Sequence, residues 1–294
     1  VKVSSCLQRT LSFAKDLLSH GWIPQVLTTH PRAYENSSDD QLKDIPDRVG
    51  VIRAFALDTA RHLSLGNRYP DFLALPDRWA SWWLGGVWSG LLAIRRSRPS
   101  VIWSTYPIAT AHLIGLTLHK LTGIPWVADF RDSMTEVDYP SDPRRRKLFL
   151  WIERKTLEHC AKAVFTTPGA IRMYRARYPY IPDERWALIP NGYNEEIFAE
   201  VENEIASEIL VTKHEKIVLV HSGVVYPSER DPRPMFSAIA DLKARGLVSA
   251  STLEVVMRAT GHDSVFQPML DELDINDIVE LAPGLSYRDA LKEM

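Results

Sequence analysis

Apolar residues along the chain recur with two periods that take turns. Residues 9–22, RTLSFAKDLLSHGW, place Leu11, Ala14, Leu17 and Leu18 on one helical face, and Gly21 stands where such a helix would be capped. An extended run over 22–28 follows. A polar, turn-rich stretch over 30–48 then reads as a surface loop, and VGVIRAFAL over 49–57 as a second strand. Further on, the pattern predicts strands at VIWSTYP (101–107), PWVADF (125–130), AKAVFTTP (161–168) and WALIP (186–190), the last running into the turn NGYN. Between them it predicts helices over 79–94, 108–123, 147–161 and 170–179. Strands that alternate with helices point to a parallel sheet covered on both faces, here one doubly wound domain over 1–200.

After an acidic stretch over 200–214, read as helix or linker, the series restarts with KIVLVHSG, PMFSAIADLKARG, LEVVMRAT and IVELAP, and ends on the helix-like SYRDALKEM. A second α/β domain therefore occupies 201–294, short of the ~100–150 residues usual for a domain. The first domain opens beside a helix where a strand is expected. The sequence reads as a fragment cut at both ends, with its first strand missing and its second domain incomplete.

Composition narrows the class. The 294 residues are 45% hydrophobic and 24% charged, enough for a large core, and the formal net charge of −2 excludes a general nucleic-acid binder. Two cysteines without CxxC spacing suggest neither a disulfide scaffold nor a zinc site and fit a reducing cytoplasm. The uncharged run WASWWLGGVWSGLLAI at 79–94 is shorter than the ~20 apolar residues of a spanning helix. Its apolar residues lie nearly all round the helix, which favours a buried core helix. The tryptophans, and the RRSR that follows, leave open a peripheral contact with the inner face of a membrane.

The chemistry concentrates at strand ends. PWVADFRDSM (125–134) runs from apolar directly into Asp129, Arg131 and Asp132, and the C-terminal ends of strands in an open α/β sheet face the ligand crevice. HSGVVYPSERDP (221–232) puts Gly223 directly after a strand and Arg230 shortly beyond. The glycine would let the backbone approach a diphosphate, and the cation would neutralise the charge of a departing nucleotide. Gly261 follows another strand and suits a tight turn near a ligand. Asn191 and Gly192 form a turn able to take positive φ. His112 and His119, seven residues apart on one helix, cannot chelate a single metal ion. No D-x-D occurs in the chain, and D-x-x-D at Asp129 and Asp132 is a weak magnesium signal.

These pieces, in this order, resemble glycosyltransferase family 4, within the GT-B glycosyltransferases. The resemblance rests on the helix 9–22 leading to QVLT, VIWSTYP, ADFRD, IPNGYNEEIF and HSGVVYPSERDP, which together cover most of the chain. It implies an α/β fold of two Rossmann-like domains. It also implies transfer of a sugar from a nucleotide-sugar donor on the second domain to a glycan or lipid-linked acceptor on the first, usually with retention and without a metal cofactor. On that footing Asp129 and Asp132 would serve acceptor hydroxyls as the catalytic pair, with a turn cap and a structural ion pair as the alternative. Arg131 falls more readily to scaffold. Gly223, Arg230 and Gly261 would hold the donor, and Arg9, Asn191 and Gly192 would border the cleft.

Many family members have an arginine directly after the strand-end glycine, where this chain has Val224. The family's pair of glutamates spaced E-x7-E is expected beyond residue 294. The matches at Glu196/Glu204, Glu200/Glu208 and Glu272/Glu280 come too early and read as chance. Two other readings stand beside transfer: a catalytically silent sugar-binding or scaffold relative, and a nucleotide-sugar epimerase of the same fold.

Overall fold

The computed structural model describes residues 5–34, 44–64, 66, 68–136, 139–208, 216–227 and 230–294. Parts of the loop expected over 30–48 and of the linker expected over 200–214 lie outside these. Two compact units divide between Gly192 and Tyr193.

The first unit contains α1 (Ser5–Ser19), β1 (Gln25–Thr29), β2 (Gly50–Ala54), α2 (Thr59–His62), α3 (Trp82–Ser97), β3 (Ile102–Thr105) and α4 (Ala109–Thr122). It continues with β4 (Trp126–Arg131), α5 (Pro143–His159), β5 (Lys162–Phe165), α6 (Pro168–Arg177) and β6 (Trp186–Leu188). All pairings are parallel, in two pieces, β1-β2 and β3-β4-β5-β6. Helix boundaries follow local chemistry. Asp142 accepts from the Arg145 N–H with Pro143 in the first turn, Thr167 accepts from Ala170 ahead of Pro168, and Gly123 at φ 71° closes α4. The core under the larger sheet piece is aromatic: Phe130 stacks on Phe165 at 5.1 Å, Tyr174 meets both, and Trp126 is fully buried.

A tight approach fixes where α3 lies. A Cβ on Gly86 would come within 2.5 Å of Ile114, one on Gly90 within 2.7 Å of Leu118, and one on Gly85 within 2.2 Å of the Phe55 carbonyl. The glycines allow this close spacing, and α3 packs on α4 with Trp82, Gly86 and Gly90 inward. The expectation of a helix buried all round is corrected here. Leu84, Trp88 and Leu92, at i, i+4 and i+8, lie on the opposite face and are exposed. No described helix is long and apolar enough to cross a membrane.

The second unit contains α7 (Glu195–Glu208), β7 (Ile217–Ser222), α8 (Arg233–Ala244), β8 (Leu253–Arg258), α9 (Asp263–Glu272), β9 (Val279–Ala282) and α10 (Tyr287–Glu293). Its parallel sheet has the order β7-β8-β9, and its own core gathers Phe236, Phe266, Leu270 and Ile278. The boundary expected at 200 falls inside α7, because the acidic stretch has partners: Glu200 and Glu204 pair with Arg288 and Lys292 of α10. Two of the glutamates in E-x7-E register are thus surface ion-pair partners within this unit.

Candidate functional site

In the first unit, residues far apart in sequence meet at the C-terminal ends of β3, β4 and β6. Arg9 of α1 donates from Nε and Nη2 to the two carboxylate oxygens of Asp129, at 3.0 and 3.2 Å. The same guanidinium donates to the carbonyls of Ile189 and Pro190, both at 3.1 Å, and to Asn191 Oδ1 at 3.4 Å. Thr105 Oγ1, at the end of β3, donates to Asp129 Oδ2 at 3.1 Å. Three residues singled out in the sequence, Arg9, Asp129 and Asn191, therefore form one cluster. Its centre is dry: the Asp129 side chain is 1% exposed and that of Arg9 7%.

With both oxygens engaged, Asp129 holds Arg9 in place and does not present a free carboxylate to a ligand. Thr105 escaped the sequence reading. Its place is the last residue of β3, paired in register with Asp129 of β4.

A bulge separates the two aspartates. The pairing of β4 with β5 shifts register between Asp129 and Arg131, and Arg131 takes φ 54°. Arg131 is buried, with its Nη1 3.5 Å from the Tyr106 carbonyl, and its own carbonyl accepts from Thr166 Oγ1 at 2.9 Å. Asp132 emerges exposed beyond the bulge. Burial first, then the Tyr139 phenol, then the nearby charges of Asp132 and Asp77 hold the Tyr106 hydroxyl well above its usual ionisation range. Asp132 and the phenols of Tyr106 and Tyr139 are therefore neighbours at the sheet edge. Asn191 and Gly192, able to take positive φ, do not adopt it, and the Asn191 side chain accepts from Arg9.

The segment after the bulge is clamped from below. Fully buried Glu153 on α5 accepts from Thr135 Oγ1 (2.9 Å), Tyr174 Oη (2.9 Å), Tyr178 Oη (2.7 Å) and Arg177 Nη1 (2.7 Å). Tyr174 Oη also accepts from the Met134 N–H at 3.0 Å. A buried carboxylate costs little only when its lone pairs are filled, and here they are. None of these donors was legible as a site residue: Tyr174, Arg177 and Tyr178 fall in the helix expected over 170–179, and Thr135 in the loop that follows β4. His112 and His119 serve the fold: His112 lies fully buried against Ser104, Tyr106 and Phe130, and His119 Nδ1 sits 2.7 Å from the Ile124 carbonyl.

In the second unit, the strand ends carry glycines. Gly223, at φ 139°, follows β7 and donates to the Arg258 carbonyl at 3.0 Å, and Val225 donates to Thr260 O at 3.0 Å. Among the described residues nothing lies within 4 Å of where a Gly223 Cβ would stand, which leaves room for a ligand to approach the backbone. Gly261, at φ 74°, follows β8, and a Cβ there would stand 3.6 Å from a Val224 methyl. Gly284 follows β9, with Ala259 closely packed against it. Gly284, and the exposed Tyr226 whose ring centre lies 6.1 Å from that of His262, were not singled out from the sequence. Arg230 is exposed, and its N–H donates to the Tyr226 carbonyl at 2.8 Å. Two other cations of this unit are paired: Arg233 with Asp231, and Arg258 with Glu293. Among the described residues, no three His, Cys, Asp or Glu side chains gather as a metal site.

Comparison with known proteins supplies the family. No curated protein matches the chain in sequence. Among solved structures, sucrose-phosphate synthase from Thermosynechococcus elongatus superposes with a TM-score of 0.64 at 15% identity, covering 98% of this chain and 66% of that one. HepE from Anabaena, in complex with UDP, gives 0.55 at 9% identity, covering 92% and 71%. Apo UGT2 from Phytolacca americana gives 0.52 at 14% identity, covering 96% and 70%. The chain thus spans about two thirds of the length of the sucrose-phosphate synthase it matches. The family model described as glycosyl transferase 4-like domain matches residues 7–192, which include Arg9, Asp129, Asp132 and Asn191. The chain belongs to the glycosyl transferase 4-like family and has the α/β GT-B fold of glycosyltransferases.

Proposed function

We propose that the chain is a retaining, cytoplasmic glycosyltransferase that moves a sugar from a nucleotide-sugar donor to a glycan or lipid-linked acceptor. The observation that carries the reading is the run of glycine-bearing strand ends in the second unit. Gly223 and Gly261 offer backbone at positive φ, with the exposed guanidinium of Arg230 on the loop beside them. Such a surface suits a diphosphate, whose growing charge as the sugar leaves Arg230 would offset without a metal ion. The UDP present with HepE, a structure of similar fold, makes a uridine donor the first to test.

In the first unit, Asp132 is the carboxylate placed to accept a hydrogen bond from an acceptor hydroxyl. Asp129 acts through Arg9, keeping the strand ends of β4 and β6 together. Arg131, Asn191 and Gly192 shape that edge without touching the reaction.

Titration of the chain with UDP-, GDP- and ADP-sugars, followed by calorimetry and by nucleotide release, tests this. One nucleotide class should bind, and Arg230→Ala should weaken it by roughly tenfold or more, the loss of one charge-assisted contact worth ~1.5–3 kcal/mol. Asp132→Asn should keep donor affinity and lower transfer by ~10²-fold, as removal of a positioned proton acceptor does. Transfer should persist in a metal chelator. Absence of binding by every nucleotide sugar would remove the reading.

A further inference from the structure

We propose that the outer face of α3 docks the protein on an anionic lipid surface. Leu84 and Trp88 are 66% and 69% exposed, and with Leu92 they form a stripe along the helix side that α4 does not cover. Leu121, 63% exposed, and Thr122 extend the apolar surface onto α4. A groove of about 240 Å³ is lined by Trp88, Leu91, Leu92, Ile94, Arg95 and Thr122. Trp83 is also exposed, and its indole N–H donates to Thr117 Oγ1 at 3.0 Å.

The charge around this face names the occupant. Arg95, Arg96 and Arg98 are all exposed at the end of α3, and no Asp or Glu occurs anywhere from residue 78 to 128, the stretch that supplies α3, β3 and α4. In a chain that is net negative overall, the stretch that supplies this apolar helix face carries cations and no carboxylate. Exposed tryptophan and leucine with flanking arginines complement a headgroup layer, where the rings enter the acyl boundary and the guanidiniums meet lipid phosphates. Gly86 and Gly90 leave α3 no freedom to turn this face inward, because its opposite side is locked on Ile114 and Leu118. The inference stands on these surface features and does not depend on sugar transfer.

Co-sedimentation of the chain with vesicles of phosphatidylcholine alone, and of phosphatidylcholine with about 30% phosphatidylglycerol, tests it. Binding to the anionic vesicles should exceed binding to the neutral ones by about tenfold and fall as salt rises. Leu84→Ser with Trp88→Ser should reduce it by about tenfold or more. Arg95→Glu with Arg96→Glu should abolish the preference for anionic lipid. All four positions are exposed, so each variant should keep the parent's thermal midpoint, and a variant that does not is replaced by Leu84→Gln with Trp88→Gln. Equal binding to both vesicles, or parental binding by the serine variant, would overturn the proposal. A dimer in sedimentation velocity that disappears with Trp88→Ser would also overturn it, since the face would then join two copies of this chain.

Discussion

At the scale of single residues, burial decides which ionisable groups can act. The family resemblance offers Asp129, with Asp132, as a catalytic carboxylate, and in the fold its side chain is buried against Arg9. The guanidinium that fills its oxygens comes from 120 residues earlier, a partner that no local pattern announces. An ion pair this dry is held by geometry, and loss of either member would strand a buried charge. His112 illustrates the same rule on a neutral group. Its complete burial pushes its ionisation down to about 3, far below the usual ~6.5.

A histidine depressed in the folded state is protonated first in the unfolded chain. Stability from keeping it neutral is therefore complete above ~6.5 and is lost as pH falls from there toward 3. Urea unfolding from pH 7 to pH 4.5 should show a loss approaching ~1.4 kcal/mol per pH unit from this group, and His112→Leu should flatten that slope. An unchanged slope in the variant would assign the acid sensitivity elsewhere. The Cys160 thiol, raised to about 12 by burial, is inert for the same reason.

At the scale of elements, glycine content carried information that helix propensity alone would misread. Three glycines in α3 suggest a weak helix, yet each marks a close approach. Gly85→Ala should gain up to ~1 kcal/mol of helix propensity, but its new methyl would meet the Phe55 backbone at 2.2 Å. Backbone cannot swing aside as a side chain can, so net destabilisation of ~1–3 kcal/mol is expected in urea unfolding. A stabilised variant would show that the Phe55 segment yields freely. Strands such as β4 and β5 were legible because parallel strands buried on both faces read as short apolar runs. The bulge at Asp129 to Arg131 was not, since register is set by the neighbour β5 and not by β4.

At the scale of the whole molecule, each unit repeats one arrangement: parallel strands whose C-terminal ends bear the residues of interest. In the second unit those ends are mostly backbone, so a bound nucleotide should be visible as amide protection. Hydrogen exchange with and without the nucleotide that binds should show slowed exchange at 223–227 and 259–262. Protection elsewhere in that unit, with none at these segments, would move the donor site.

The order of strands and helices, the restart of the α/β pattern after residue 214 and the placement of Asp129, Asp132, Gly223 and Gly261 at strand ends were all determined by the sequence alone. Each depends on periodicity and turn chemistry that act within a few residues. Only the tertiary structure decided that Arg9 and Asn191 close on Asp129, that Glu153 clamps the segment after the bulge, that α7 pairs with α10, and that the tryptophan helix turns one apolar side outward. Those outcomes depend on which distant surfaces meet. A hydrophobic pattern says that a residue can be buried, and it is the packing of neighbouring elements that settles which face is covered and which carboxylate stays free.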